Sequence, residues 1–145
     1  MSELLVFRCA HCGQLARLPA ERRFDGASCG ACKRKLDVTG APQALDDAGL
    51  ERLIAASPVP VLVDFWADWC PPCKALAPHL ADLAGRLAGR AIVAKVDVEA
   101  HKRFAAELGV QSIPTLCVYK DGELVRRQSG AVFGRALEAL VSPFL

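Results

Sequence analysis

No apolar run in this 145-residue chain approaches the roughly 20 residues that a bilayer-spanning helix needs, so a helical membrane anchor is not expected. Its start is equally poor in targeting features. Met1–Phe7 contains an acid at Glu3, and its short apolar stretch soon gives way to Arg8 and Cys9. The basic opening and long apolar middle of a secretory signal are missing, which makes the cytosol the expected compartment. Net charge is scarce too: 18 Lys and Arg against 16 Asp and Glu leave +2, too little to point to nucleic acid by itself. The chain holds no dinucleotide-binding glycine motif, and no internal repeat beyond a recurring Cys-x-x-Cys.

Apolar residues, by contrast, are plentiful at 52%, enough for a real core, and the length allows one ordinary domain with a small appendage. Cysteine is abundant as well, with seven residues. A reducing compartment argues against a structural disulfide framework and favours metal binding or redox catalysis. The distribution suits both. Cys9, Cys12, Cys29 and Cys32 cluster early, Cys70 and Cys73 sit centrally, and Cys117 stands alone. Residues 1–40 carry seven Lys/Arg against four acids, an excess that a metal held by four thiolates, with a net charge of −2, would help to balance.

The sequence divides near Thr39–Ala44, where turn and breaker residues interrupt any periodic pattern. We therefore expect a small N-terminal unit over 1–40, too short for a core of its own, and a larger domain over 45–145. In the latter, Leu50, Leu53 and Ile54 predict a helix over Asp46–Ala56. Val59–Trp66 and Ala91–Val98 read as buried strands. A long helix is expected from Pro71 to Leu87, with Leu76, Leu80, Leu83, Ala84 and Leu87 inward and Pro78 kinking it. A short helix over His101–Leu108 should stop at Gly109. Thr115–Tyr119 and Leu124–Gln128 flank an Asp121-Gly122 turn and predict a hairpin, and Phe133–Val141 predicts a closing helix. That order gives an α/β fold with a mixed sheet covered by helices on both faces.

The chemistry concentrates at residues 61–73, where an apolar strand leads through Phe65, Trp66 and Trp69 into Cys70-Pro-Pro-Cys73. Proline opens helices readily, because N–H groups of the first turn lack partners in any case. A cysteine just before that turn faces unpaired N–H groups and the positive end of the helix dipole, which favour the reactive thiolate. Cys70 is placed to attack a disulfide and Cys73 to release the mixed product. Asp64, inside the apolar strand, should have its pKa raised by burial and could accept the Cys73 proton. A structural pairing with Lys95 on the neighbouring strand is the alternative, and the two roles are compatible.

Cys9-x-x-Cys12 and Cys29-x-x-Cys32, sixteen residues apart, have four-cysteine zinc spacing. One structural zinc ion is expected; iron is the minor alternative. Gly13 helps the first turn, and Lys33 occupies the equivalent place after the second. The ion should supply folding energy to this segment, and oxidation of its thiolates would release it.

Val-Asp-Phe-Trp-Ala at 63–67, Trp-Cys-x-Pro-Cys-Lys at 69–74 and Ser-Ile-Pro-Thr at 112–115 together resemble the thioredoxin family over 45–145. With the zinc-binding extension in front, the chain is similar to the bacterial thioredoxin 2 group. The resemblance implies a thioredoxin fold and reduction of protein disulfides, with the dithiol recycled by a flavin-containing, NADPH-dependent thioredoxin reductase. It implies that Cys70 is the nucleophile, Cys73 the resolving thiol, and Asp64 with Lys95 a buried proton-transfer pair. It also implies a cis-proline at Pro114 and an apolar client-docking surface that includes Trp69, Pro72 and Gly130. Trp66 could share that surface, but core packing is the expectation for it. A monomer with no bound organic cofactor, serving disulfide-containing clients and no nucleic acid, is expected.

Pro71 departs from the family pattern, which has glycine there, and it should alter the redox potential. An oxidant or isomerase is therefore the alternative activity, and a zinc-knuckle binding module the alternative from another class. Cys117 should be a buried, inert thiol, and His79 and His101 should lie on solvated faces.

Overall fold

A computed structural model of the chain describes residues 3–145; Met1 and Ser2, at the edge of the leader and domain readings, lie outside the described residues. The chain begins with an antiparallel hairpin, β1 (Leu4–Arg8) and β2 (Leu15–Pro19), followed by a 3-10 turn at Ala20–Arg22. The larger part runs β3 (Gln43–Ala44), α1 (Asp47–Ala56), β4 (Val61–Trp66), α2 (Pro71–Arg86), β5 (Ile92–Asp97), α3 (Arg103–Glu107), β6 (Thr115–Lys120), β7 (Glu123–Ser129) and α4 (Gly134–Val141). Its five-stranded sheet has the order β3-β5-β4-β6-β7. The first three strands are parallel to one another, and β6 and β7 join antiparallel.

Strand alternation explains the two cores. In β4, Val61, Val63 and Phe65 face Leu50, Leu53 and Ile54 of α1, while Leu62 faces Leu76, Leu80 and Leu83 of α2. Asp64 alternates with Leu62 and so points to the α2 side. Spacing in α2 places Cys73 on the same buried face as Leu76 and Leu80. Asp64 and Cys73 thus both project into the space between β4 and α2. Pro78 lies within α2 without ending it. The β6–β7 turn uses Asp121 and Gly122, at φ 51° and 83° respectively, the left-handed pair expected of a tight hairpin.

The N-terminal segment leans on the larger part. Cys9, Cys29 and Leu36 form a small buried cluster, but Leu5 and Phe7 pack against Ala88, and Val6 enters the main core. The Val6 N–H donates to the Gly89 carbonyl at 2.8 Å. Gly89 has φ +82°, and a Cβ there would lie 2.6 Å from the Leu5 Cβ, so this approach needs glycine. Arg8 Nη1 donates to Gln43 Oε1, and Gln43 Nε2 returns a bond to the Arg8 carbonyl, each at 2.8 Å.

Candidate active site and metal centre

The reactive pair stands where β4 hands over to α2. Cys70 caps the helix from an extended conformation, and Pro71 and Pro72 follow at positions whose missing N–H groups cost no helical bond. Removing those two donors leaves the Cys73 N–H to donate to Cys70 Sγ, at 3.2 Å. The two cysteines are joined as a disulfide, and each is only 2% exposed. Beside them Trp69 is 65% exposed, its indole N–H donating to Glu99 Oε1 at 3.1 Å. Across the site Cys70 Sγ lies 3.6 Å from the Ile113 carbonyl oxygen, and the Ile113–Pro114 bond is cis. The Gly130 N–H donates to the Pro114 carbonyl at 2.8 Å, which brings Gly130 to the same loop. Pro72 is exposed beside the pair, and Trp66 is half-buried at the end of β4.

Behind the disulfide, the Asp64 carboxyl is fully buried, and neither oxygen has a hydrogen-bond partner among the described residues. Loss of hydration pushes its pKa up to about 6, and the positive charge of Lys95 pulls only partly the other way. Lys95 is its register partner on β5, but the ammonium stands 4.5 Å from the centroid of the Trp66 ring. The indole face therefore receives this cation, while the carboxylate makes no direct ion pair among the described residues. A buried acid in this state is poised to exchange a proton near neutral pH.

A second cysteine cluster is built from two turns of matching geometry. In the first, the Gly13 N–H donates to the Cys9 carbonyl and the Cys9 N–H to the Gln14 carbonyl, at 2.8 and 2.9 Å. In the second, the Lys33 N–H donates to the Cys29 carbonyl and the Cys29 N–H to the Arg34 carbonyl, at 2.9 and 2.8 Å. Gly13 has φ +81° and Lys33 φ +69°, so a lysine accepts the left-handed conformation that glycine adopts freely. All four sulfurs lie within 4.8 Å of one another, with Cys9–Cys32 and Cys12–Cys29 separations of 3.6 Å. A tetrahedral ion with metal–sulfur bonds of roughly 2.3 Å requires sulfurs about 3.8 Å apart, so the donor set and spacing fit a divalent metal.

N–H groups of Cys32 and Ala31 pull the Cys29 thiol down to about 6. At Cys12 the Gln14 N–H acts in the same sense, but burial and the other three sulfurs outweigh it and push that thiol up to about 11. Four sulfurs this close hold protons unevenly, and a cation resolves the conflict by replacing them. His11 contacts Arg34 instead of joining the cluster.

The thioredoxin family profile matches residues 41–143, and the profile described as "Thioredoxin 2, N-terminal" matches residues 8–34. The chain belongs to the thioredoxin family. It is a thiol–disulfide oxidoreductase of the thioredoxin fold, with an N-terminal four-cysteine ribbon suited to metal. Thioredoxin C-3 of Corynebacterium nephridii is 39% identical over 134 residues, covering 92% of this chain and 90% of that one. Thioredoxin 1 of Chlorobaculum tepidum is 47% identical over 90 residues, or 62% of this chain and 84% of that one. Among solved structures, a thioredoxin variant from Halobacterium salinarum superposes with TM-score 0.67 at 33% identity, covering 74% of this chain and 94% of that one.

Within this thioredoxin-family site, the structure brings Cys70, Cys73, Trp69, Pro114 and Gly130 together at one end of the sheet, with Asp64 behind the pair. Cys117 is fully buried, and burial pushes its thiol up to about 11. His79 is exposed and stacks edge-on against Phe133 at 4.9 Å. His101 is half-buried and precedes α3, which begins at Arg103. Two contributors escaped the sequence reading. Glu99 is one ordinary acid among 16, and nothing local marks it as the partner of Trp69. Arg127, whose guanidinium donates to the Leu108 and Gly109 carbonyls ahead of the Pro114 loop, sits in a Val-Arg-Arg stretch that reads as a solvated edge strand.

Proposed function

We propose that the chain reduces protein disulfides in the cytosol and is recycled by thioredoxin reductase, with zinc held by Cys9, Cys12, Cys29 and Cys32. The Cys70 thiolate attacks one sulfur of a client disulfide; a mixed disulfide forms and the first client thiolate leaves. Cys73 then gives its proton to Asp64 and attacks the Cys70 sulfur. The second client thiolate leaves as the Cys70–Cys73 disulfide closes, so two electrons pass to the client. Lys95 steadies the negative charge on Asp64 through space. Trp69, Pro72, Pro114 and Gly130 form the surface on which an extended client segment rests. Zinc, when bound, is redox-silent and fixes the ribbon.

What supports this reading is a helix-capping sulfur at the start of α2 together with a fully buried carboxyl on the α2 side of β4 that has no hydrogen-bond partner among the described residues. It favours a step that needs both a stabilised thiolate and a proton acceptor. The test is trapping. Cys73→Ser should accumulate a stable mixed disulfide between Cys70 and a client such as insulin, visible by intact mass spectrometry. An unreacted Cys70 thiol after incubation with oxidised insulin contradicts the reading.

A further inference from the structure

We propose that Arg127 is a positioning residue for client docking, which acts by holding the loop between α3 and β6. The proposal rests on the reading of the Pro114 loop as the docking surface. That loop, residues 108–114, has no regular structure, and its second half lines a groove of about 280 Å³ with Trp69, Val98 and Ala105. Val110, Gln111, Ser112 and Ile113 form the groove wall, so the loop's position sets its width.

Two anchors fix the far end of the loop. The Thr115 hydroxyl donates to the Ser112 carbonyl at 2.6 Å, and the Gly130 N–H donates to the Pro114 carbonyl at 2.8 Å. At the near end the carbonyls of Leu108 and Gly109 lie just past the end of α3, outside its own backbone bonding. Arg127 meets them there. Its Nη1 donates to the Leu108 carbonyl and its Nη2 to the Gly109 carbonyl, the latter at 3.2 Å. The guanidinium fork matches two adjacent carbonyls, and its charge suits the C-terminal end of a helix.

The strut is also well founded at its base. Arg127 lies opposite Cys117 in the β6–β7 ladder and so takes the sheet face on which α1 and α3 pack. Arg126, one residue back, takes the other face and lies over the Phe144 ring. A side chain exposed on an edge strand thereby reaches the loop that shapes the groove.

The test is steady-state insulin reduction by the metal-loaded protein with saturating thioredoxin reductase and NADPH. Arg127→Ala should raise KM for insulin about three- to tenfold with little change in kcat, the scale of losing one or two hydrogen bonds. Amide exchange at Val110–Ile113 should accelerate, and Arg127→Lys should recover part of both effects. Should Arg127→Ala fail to fold, Arg127→Gln and Arg127→Lys carry the same comparison. A wild-type KM with wild-type exchange at the loop overturns the proposal, and so does a fall in kcat at constant KM. Failure of the wild-type protein itself to reduce insulin overturns the docking reading on which the proposal stands.

Discussion

At the level of single residues, Asp64 has the most distinctive environment. Burial raises its carboxyl to about 6, above the roughly 3.9 of an unfolded aspartate. The folded protein therefore holds a proton that the unfolded chain has released between these values. This group costs stability above pH 6, and the cost fades as pH falls through 6 toward 4. Asp64→Asn should be more stable than the parent at pH 8 by about 1–3 kcal/mol, with the difference shrinking as pH falls from about 6 toward 4 in urea titrations. The same variant should slow resolution of the mixed disulfide by about 10- to 100-fold and remove a rate inflection near pH 6. Identical pH profiles for the two proteins would exclude Asp64 as the proton acceptor. That a carboxylate stood in an apolar strand was legible from sequence. Its lack of a direct partner was not, because the face of Trp66 competes for Lys95 and only tertiary packing puts it there.

At the level of elements, the start of α2 carries the redox chemistry. Pro71 withholds an N–H from the turn that surrounds Cys70 Sγ, leaving the Cys73 N–H as the bond to that sulfur. Pro71→Gly restores a donor and loosens the turn, so the potential of the pair should move by on the order of 30 mV, equivalent to roughly 1.4 kcal/mol. Equal potentials for the two proteins in glutathione titrations would show that Pro71 has no such role. The elements of the larger part follow the apolar periodicity closely, because α1, β4, α2 and β5 each bury a full face. The β1–β2 hairpin did not stand out. β2 is only half-buried, and the two strands are joined by the Cys9–Cys12 turn in place of a standard hairpin signal. β3 is two residues long and depends on pairing with Ala94 and Lys95, which no local pattern announces.

At the level of the whole molecule, the ribbon and the larger part share a boundary built from Leu5, Val6, Phe7, Ala88 and Gly89. The cysteine spacing made the metal cluster legible, whereas the strand that carries it across to the main core was not, since its contacts with Ala88 and Gly89 lie more than eighty residues away. So small a core surrounds the four sulfurs that a bound cation would supply much of what holds them together. Chelation should collapse the NMR signals of residues 9–36 onto random-coil positions and raise amide exchange at Val6, while β4 and β6 stay protected. A ribbon that keeps its native shifts without metal would remove the structural role of the ion.

The proposed function requires Cys70 and Cys73 to pass electrons from thioredoxin reductase to protein disulfides. The most direct measurement is NADPH consumption coupled to insulin reduction, with thioredoxin reductase present and the ribbon metal-loaded. Sustained turnover by the native protein, falling to background in Cys70→Ser, is the predicted result. No turnover by native protein whose Cys70 and Cys73 titrate as free thiols, or undiminished turnover in Cys70→Ser, would contradict it.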